Sequence, residues 1–161
     1  MKNLLVILIT AVVFVMGCQP AEKPLTAEEK TEIQTEISSL TDTLIQKQLS
    51  LDFDAVFPYW LLDDNFSFIS DGEAIIGGDN FKKILEEFDG SIKEYINVET
   101  SDPHILALDR NLALYIYKFD ESYITSTNDT LSSKGTTSLL YKKKDGVWKI
   151  IHQNAFHQPS E

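Results

Sequence analysis

Apolar residues recur at helical spacing in the first third of the chain. The run Thr26-Ala-Glu-Glu29 is a capping-box pattern, which is typical of a helix N-terminus. Behind it, apolar residues follow at steps of four, three and four, and these residues are Ile33, Ile37, Leu40 and Leu44. Because such steps keep side chains on one helical face, the pattern predicts an amphipathic helix from Thr26 to about Leu49.

Two shorter helices are predicted further along the chain. The aromatic and apolar run 51–62 favours a short helix that Asp54 can cap. The run 77–90 predicts another helix, with Gly90 as its C-terminal stop. Between them, the run 66–70 predicts a short strand.

From residue 91 onward the apolar period changes to two, which is typical of β-strands. Strands are predicted at 92–99, 105–108, 112–124, 131–144 and 147–157. Asp145-Gly146 stands between the last two and predicts a hairpin, because a type I′ turn needs positive φ at both central residues. Helices that precede an antiparallel meander indicate an α+β fold.

One face of the final strand mixes polar with apolar side chains. By the period of two, the residues predicted on this face are Trp148, Ile150, His152, Asn154 and Phe156. The face is therefore the best candidate for the lining of an interior. His157 lies five positions after His152, so the two histidines are predicted to face opposite sides of the strand.

The N-terminus carries the features of a signal peptide. A short, positively charged start precedes the apolar run 4–16, which is too short for a comfortable bilayer span. The run ends at Gly17-Cys18, and this ending resembles a bacterial lipoprotein signal, in which the cysteine becomes acylated. The alternative is an ordinary secretory signal followed by an unrelated cysteine.

The lipoprotein interpretation divides the chain into three parts. Residues 1–17 are the predicted signal peptide, residues 18–25 a tether with acylated Cys18, and residues 26–158 one folded domain. A lipid anchor predicts a place in the bacterial cell envelope, on the inner or outer membrane and on its periplasmic or surface face. Since Cys18 is the only cysteine, no internal disulfide is expected.

Charge and motif content narrow the classes of partner. The 161 residues include 25 acidic and 14 basic side chains, which gives a formal net charge of −11. Such a chain repels phosphate backbones, so nucleic-acid binding is not expected. The sequence has neither a Gly-rich phosphate loop nor clustered metal-ligand residues, which predicts no cofactor and no metal.

Three motifs resemble the nuclear transport factor 2-like superfamily and its SnoaL-like proteins. They are the closing run Tyr141-Lys-Lys-Lys-Asp-Gly-Val-Trp-Lys-Ile-Ile-His152, the turn Asp109-Arg110-Asn111-Leu-Ala113 and the loop Phe68-Ile-Ser-Asp-Gly72. The resemblance covers residues 26–157 and implies a curved antiparallel sheet that wraps a long N-terminal helix into a cone. It implies no single activity, because this fold hosts isomerases, dehydratases, cyclases and many non-enzymes.

The implied cone has a concave interior and an outer surface. A strongly curved sheet that closes on a helix leaves a cavity, where small-molecule sites form. The predicted strand 112–124 is apolar on both faces, and only one of them covers the helices. In this superfamily a second subunit is the usual cover for the other face, so a homodimer is predicted, although exposed tyrosines need no partner by themselves.

Several side chains are candidates for a site in this interior. His152 could act as a general acid or base, or orient a ligand, with Asn154 beside it; alternatively both are buried groups that bond to the core or backbone. Asp71 lies where ketosteroid-isomerase-like relatives place a catalytic aspartate, but Asp-Gly is also an ordinary turn. The aromatic candidates for binding, which are equally typical of a core, are Tyr59, Trp60, Tyr115, Tyr117 and Trp148.

Three functions fit these features. The leading hypothesis is a binding module of the cell envelope that holds a small apolar or amphipathic ligand or a protein partner. It rests on the lack of a complete catalytic constellation in the sequence. The alternatives are a cofactor-independent acid/base enzyme of isomerase, dehydratase or cyclase type that uses His152 and Asp71, and a dimerisation scaffold.

Overall fold

The computed structural model of the chain describes residues 23–158, apart from the side chains of Phe53 and Asp89. Within that range the helices are α1 (Ala27–Leu49), α2 (Phe53–Val56), which runs into the 3₁₀ turn Phe57–Tyr59, and α3 (Gly78–Gly90). The strands are β1 (Ser67–Ser70), β2 (Glu73–Ile76), β3 (Ile92–Asp109), β4 (Leu112–Thr125), β5 (Thr130–Lys144) and β6 (Val147–His157). The predicted signal peptide and acylated Cys18 lie outside the described residues.

The strands form one sheet in the order β2-β1-β6-β5-β4-β3. Neighbours are antiparallel except β1, which lies parallel to β6. The long strands β3 to β6 make the predicted meander, and α1 packs across it. The predicted α+β fold, with a curved antiparallel sheet around an N-terminal helix, is confirmed. Between residues 23 and 158, no helix combines the length and the apolar character needed to cross a bilayer.

The start of α1 is held by its cap and by the sheet. Thr26 Oγ1 accepts a hydrogen bond from the Glu29 N–H at 3.1 Å, and Glu29 Oε2 accepts one from the Thr26 N–H at 2.7 Å. The same carboxylate binds Arg110, whose Nε lies 2.9 Å from Glu29 Oε1. Since Arg110 lies in the turn between β3 and β4, this contact fixes the helix end against that end of the sheet.

The apolar stripe of α1 faces the sheet as predicted. Ile33, Ile37, Thr41 and Leu44 are buried, and each large aliphatic side chain contributes about 1.5–3 kcal/mol by leaving water. Thr41 bonds across the core to the hydroxyl of Tyr141 at 2.9 Å. The helix is therefore held on β5 both by apolar burial and by a buried hydrogen bond.

Two predicted strands, 92–99 and 105–108, merge into the single edge strand β3. The register shifts at four places along β3, and one of these lies between Ser101 and His104. Asp102 takes a φ of 51° there, directly before Pro103. Proline is tolerated at bulges and on edge strands, so the break in the sequence pattern does not end the strand.

Asp-Gly pairs form two tight turns. Asp145 and Gly146 have φ values of 52° and 80°, so the predicted hairpin turn between β5 and β6 is confirmed. Asp71 and Gly72 have φ values of 51° and 92° and join β1 to β2. The second of these hairpins was not predicted, because β2 is short and mostly exposed.

Candidate functional site

A cavity of about 600 Å³ lies between the C-terminal end of α1, helix α3 and the inner face of the sheet. Its volume is in the range of small-molecule sites. Much of its wall is apolar and aromatic, and the residues there include Trp60, Phe68, Phe81, Phe88, Val98 and Phe119. The polar side chains of the wall include Gln48, Asp71, Glu73, Tyr95, Tyr117, Glu121, Thr137, Gln153 and His157.

A β-bulge decides which side chains of β6 reach this cavity. Tyr141 of β5 pairs with Ile150, but the next residue, Leu140, pairs with His152, so Ile151 is an extra residue. An extra residue reverses the alternation of faces for the rest of the strand. Side chains at 148 and 150 point inward before the bulge, and those at 153, 155 and 157 do so after it.

The bulge brings His157 beside Asp71. The His157 Nδ1 lies 2.7 Å from Asp71 Oδ2, and the His157 backbone N–H donates to Asp71 Oδ1 at 2.7 Å. These contacts, the backbone hydrogen bond foremost, hold the pKa of the Asp71 carboxyl below its usual range. An ionised carboxylate only accepts, so Nδ1 is the donor, and Nε2 has no hydrogen-bond partner within residues 23–158.

Besides the Asp71–His157 pair, the cavity has a second set of polar side chains. Glu121 and Tyr117 supply it from the inner face of β4. Burial raises the pKa of the Glu121 carboxyl, which the nearby His157 opposes in part. Burial also raises the pKa of the Tyr117 hydroxyl, with smaller contributions from the nearby Tyr115 and Glu121. Within residues 23–158, neither side chain has a hydrogen-bond partner. Both are therefore able to bond to a molecule in the cavity.

The aromatic part of the wall is tightly packed. The Phe81 ring of α3 lies 4.8 Å from the Phe66 ring, 5.2 Å from the Phe68 ring and 5.6 Å from the Trp60 ring, centroid to centroid. Trp60 Nε1 donates to Gln153 Oε1 at 3.1 Å, which links this cluster to β6. The cluster gives the cavity one rigid, apolar side.

Three of the predicted site residues lie on the cavity wall, namely Asp71, Trp60 and Tyr117. Tyr59, Tyr115 and Trp148 pack into the core and do not line the cavity. Trp148 is held by its indole N–H, which donates to Glu36 Oε2 of α1 at 2.6 Å. These three aromatic residues therefore occupy core positions, which was the alternative to a role in ligand binding.

The prediction that His152 and Asn154 face the interior was wrong. Both follow the bulge at Ile151 and therefore lie on the outer face of the sheet, where neither lines the cavity. His152 Nδ1 lies 2.7 Å from the hydroxyl of Ser67 on the neighbouring strand. The prediction that His152 and His157 face opposite sides holds, but the assignment of sides is reversed.

Sequence reasoning did not select His157 or Glu121 for the site. Nothing in the sequence marks the bulge that turns His157 inward. Glu121 could have been found, since by the period of two it shares the inner face of β4 with Tyr115, Tyr117 and Phe119. An acid at the inner end of such a run was a usable signal.

No set of three or more His, Cys, Asp or Glu side chains in the described part of the chain is arranged to hold a metal ion. Asp71 and His157 bind one another, and Glu121 is close enough to His157 to interact with it electrostatically. The predicted absence of metal and cofactor stays a prediction.

Known structures share this fold. A nuclear transport factor 2-like superfamily protein from Salmonella enterica serovar Typhimurium is 13% identical over 81% of this chain and 94% of its own, with a TM-score of 0.71. A ketosteroid isomerase-like protein from Erwinia carotovora atroseptica is 12% identical over 77% and 95%, with a TM-score of 0.66. The association domain of CaMKII from C. elegans is 16% identical over 80% and 98%, with a TM-score of 0.61.

At these identities the structural likeness shows the fold alone. No protein of curated function matches the sequence. The family model described as a SnoaL-like domain matches residues 37–155, which include β1 to β5 and almost all of β6. The chain therefore belongs to the SnoaL-like domain family.

Proposed function

We propose that the chain binds a small, largely apolar molecule in its cavity, with the polar end of that molecule beside Tyr117, Glu121 and His157. The observation that carries this proposal is a cavity of about 600 Å³ with apolar walls and a few convergent polar groups. This combination is the usual form of a small-molecule site.

The polar groups of the cavity wall favour a bound molecule over an empty cavity. A buried hydroxyl or carboxyl without a hydrogen-bond partner costs about 1–3 kcal/mol. Tyr117 and Glu121 are partly buried and have no such partner within the described residues, and burial raises the pKa of both groups. A ligand that bonds to them would recover part of that cost, while its apolar body covers the aromatic wall.

A ligand screen by thermal shift tests the proposal. Val98 lines the cavity from β3, and a Val98→Trp variant would fill it. Ile96 is exposed and does not line the cavity, so Ile96→Trp is the matched control. We expect compounds that raise the melting temperature of the wild type and of Ile96→Trp, but not of Val98→Trp. A screen without any such compound, or equal shifts in Val98→Trp, would overturn the proposal.

A cofactor-independent acid/base enzyme is the second candidate, and the Asp71–His157 pair favours it. In this role Asp71 orients His157, and Nε2 of His157 exchanges a proton with the bound molecule. A neutral Glu121 and the Tyr117 hydroxyl would donate hydrogen bonds to a carbonyl oxygen as negative charge develops there. The structural neighbour named as ketosteroid isomerase-like is in line with such chemistry.

Exchange of carbon-bound protons in heavy water tests the enzymatic candidate. For a carbonyl compound that binds the cavity, we expect His157→Gln to slow exchange by about 10²–10⁴-fold. His152→Gln, which changes a histidine on the outer face, should leave the rate unchanged. Equal rates in wild type and His157→Gln would remove this candidate.

We further propose that a second copy of the chain covers the outer face of the sheet. Leu106, Leu114 and Leu140 lie in one row across β3, β4 and β5, with Leu106 39% exposed. The structural neighbour named as an association domain is compatible with self-association. We expect a dimer by analytical ultracentrifugation, and a monomer for Leu106→Glu. The control Ile76→Glu changes an exposed residue of β2 and should remain dimeric.

We also propose that Cys18 is acylated and anchors the domain to the bacterial cell envelope. Arg110 Nη1 donates to the Lys23 carbonyl at 2.8 Å, which holds the start of the described chain at the β3–β4 turn. The cavity wall takes residues from 45 onward on α1, about 27 Å further along the helix. The anchor would thus lie at the opposite end from the cavity. Labelled palmitate should be incorporated by the wild type and not by Cys18→Ser.

A further inference from the structure

The ionisable groups of the cavity wall are acidic except for one histidine. They are Asp71, Glu73, Glu121, Tyr95, Tyr117 and His157, and no lysine or arginine among residues 23–158 lines the cavity. Lys118 of β4 lies between two wall residues in sequence, but its ammonium group binds Asp102 at 2.7 Å. An anionic ligand would therefore find no cationic partner in the cavity other than a protonated His157.

A ligand that donates hydrogen bonds would find acceptors in the cavity that have no other donor. The Asp71 carboxylate already accepts two hydrogen bonds from His157, whereas the Glu121 carboxyl accepts none within residues 23–158. The hydroxyl oxygen of Tyr117 also has no donor there, and the Tyr117 side chain is partly buried in the cavity wall. Two oxygen acceptors without donors thus face the same apolar space.

The aromatic wall adds a second, independent preference. Trp60, Phe88, Tyr117 and Phe119 all line the cavity. The face of an aromatic ring attracts a cation, and this attraction grows when water is excluded. Acidic groups and aromatic rings on the same wall therefore both favour a ligand with a cationic end.

We propose that the ligand of this cavity is an amphipathic amine, whose ammonium group binds Glu121 and Tyr117 while its apolar body lies against the aromatic wall. The assignment rests on the proposed binding function and names the chemical class of its ligand. The ammonium group donates to Glu121, which is ionised in the complex because the positive charge offsets the cost of burying the carboxylate. His157 stays paired with Asp71 at the edge of the site.

Octylamine, octanol and octanoate are matched probes, because they share an apolar chain and differ in their polar end. We expect calorimetric titration of the purified protein to show octylamine binding at least about tenfold more tightly than octanol, and no binding of octanoate. Glu121→Gln should weaken octylamine binding by about tenfold more than it weakens octanol binding, because the amide keeps a hydrogen-bonding oxygen and loses the charge. Glu99→Gln is the matched control, since Glu99 lies between two wall residues of β3 and is exposed outside the cavity.

The outcomes separate the ligand class from the binding function. If octanol binds the wild type and octylamine binds no better, or if Glu121→Gln keeps the preference for the amine, the amine assignment is overturned and the binding function stands. Tighter binding of octanoate than of octylamine would overturn it in the same way. If none of the three probes binds the wild type, and the compound screen also fails, the binding function itself is overturned.

Discussion

Asp71 and His157 are joined by both oxygens of one carboxylate, one to the imidazole Nδ1 and one to the backbone N–H of the same histidine. Asp71 is in the β1–β2 turn, and His157 is the last residue of β6. The pair therefore closes the end of the sheet at which the cavity lies. It is also partly open to water, since the side chains of Asp71 and His157 are 48% and 39% exposed.

Replacement of Asp71 by Asn should reveal how much this pair contributes to the free energy of unfolding at each pH. Asn tolerates the positive φ of the turn, so the backbone should be kept. Because the pKa of Asp71 is lowered in the folded state, its stabilisation is present above the ordinary Asp pKa and is lost as pH falls through the folded pKa. We expect Asp71→Asn to lose about 1 kcal/mol or less at neutral pH, given the exposure, and nothing in acid.

Urea unfolding at neutral and acidic pH measures this difference. Asp120→Asn, an exposed change of the same charge on β4, is the control for net charge. If Asp71→Asn is still destabilised in acid, the pair stabilises the fold through contacts that do not depend on the charge of Asp71.

Glu121 should have the opposite pH dependence. Burial raises the pKa of its carboxyl in the folded state, so its favourable contribution is complete below the ordinary Glu pKa and is lost as pH rises through the folded pKa. In the absence of ligand, Glu121→Gln should therefore melt at a higher temperature than wild type at neutral pH and at the same temperature in acid. Melting curves across pH, with Glu99→Gln as the matched variant, provide the measurement. A variant that is less stable at neutral pH would contradict the proposed burial cost.

Gly135 is a position where the sheet leaves no room for a side chain. A Cβ there would collide with the Phe156 carbonyl oxygen and would lie 2.8 Å from the Phe119 ring. We expect Gly135→Ala to cost about 1–3 kcal/mol in the free energy of unfolding. Gly90→Ala meets no atom within 4 Å and should change stability little. Denaturant unfolding of both variants tests the difference, and equal stabilities would argue against the close packing of Phe119 over β5.

Thr41 and Tyr141 form a buried pair whose direction can be assigned. Thr41 Oγ1 donates to the Ile37 carbonyl at 2.9 Å, so the single hydroxyl proton is used and Tyr141 donates to Thr41. Thr41→Val would leave the Tyr141 hydroxyl buried without an acceptor, and we expect a cost of about 1–3 kcal/mol. Tyr141→Phe leaves Thr41 bonded to Ile37 and should cost about 1 kcal/mol.

The double variant should cost less than the sum of the two single ones, because the lost acceptor matters only while the hydroxyl is present. Unfolding free energies for the four proteins of the cycle give the coupling. Thr43→Val removes a comparable helix hydroxyl on the exposed side of α1 and should be close to neutral. Strict additivity would mean that the bond contributes nothing beyond packing.

Local signals in the sequence were enough to predict most of the fold. Helix α1 starts at its capping box and ends at Leu49, and the Asp145-Gly146 turn has the positive φ values that its residues favour. These features depend on a few neighbouring residues and on one repeated spacing. The position of β1 beside β6 depends on pairing between distant segments, and no local pattern encodes it.

The prediction of the candidate site failed because of a single residue. The alternation of faces along β6 was read without interruption from Trp148 to Phe156, and the extra residue at Ile151 reverses it. Ile151 is an ordinary strand residue in an ordinary strand pattern, so nothing in its chemistry indicates a bulge. One inserted position thus exchanged His152 and Asn154 for Gln153 and His157 on the inner face.

The parallel pairing of β1 with β6 has a consequence for the order of folding. The meander from β3 to β6 joins strands that follow one another, whereas Asp71 and His157 are 86 residues apart in sequence. Distant contacts form late, because the entropy of closing a long loop must be lost before they contribute. We therefore expect the β1–β6 contact to form last, so the Asp71–His157 pair exists only in completely folded molecules. Partly folded chains that carry the meander would lack the part of the cavity wall that β1 and the β1–β2 turn supply.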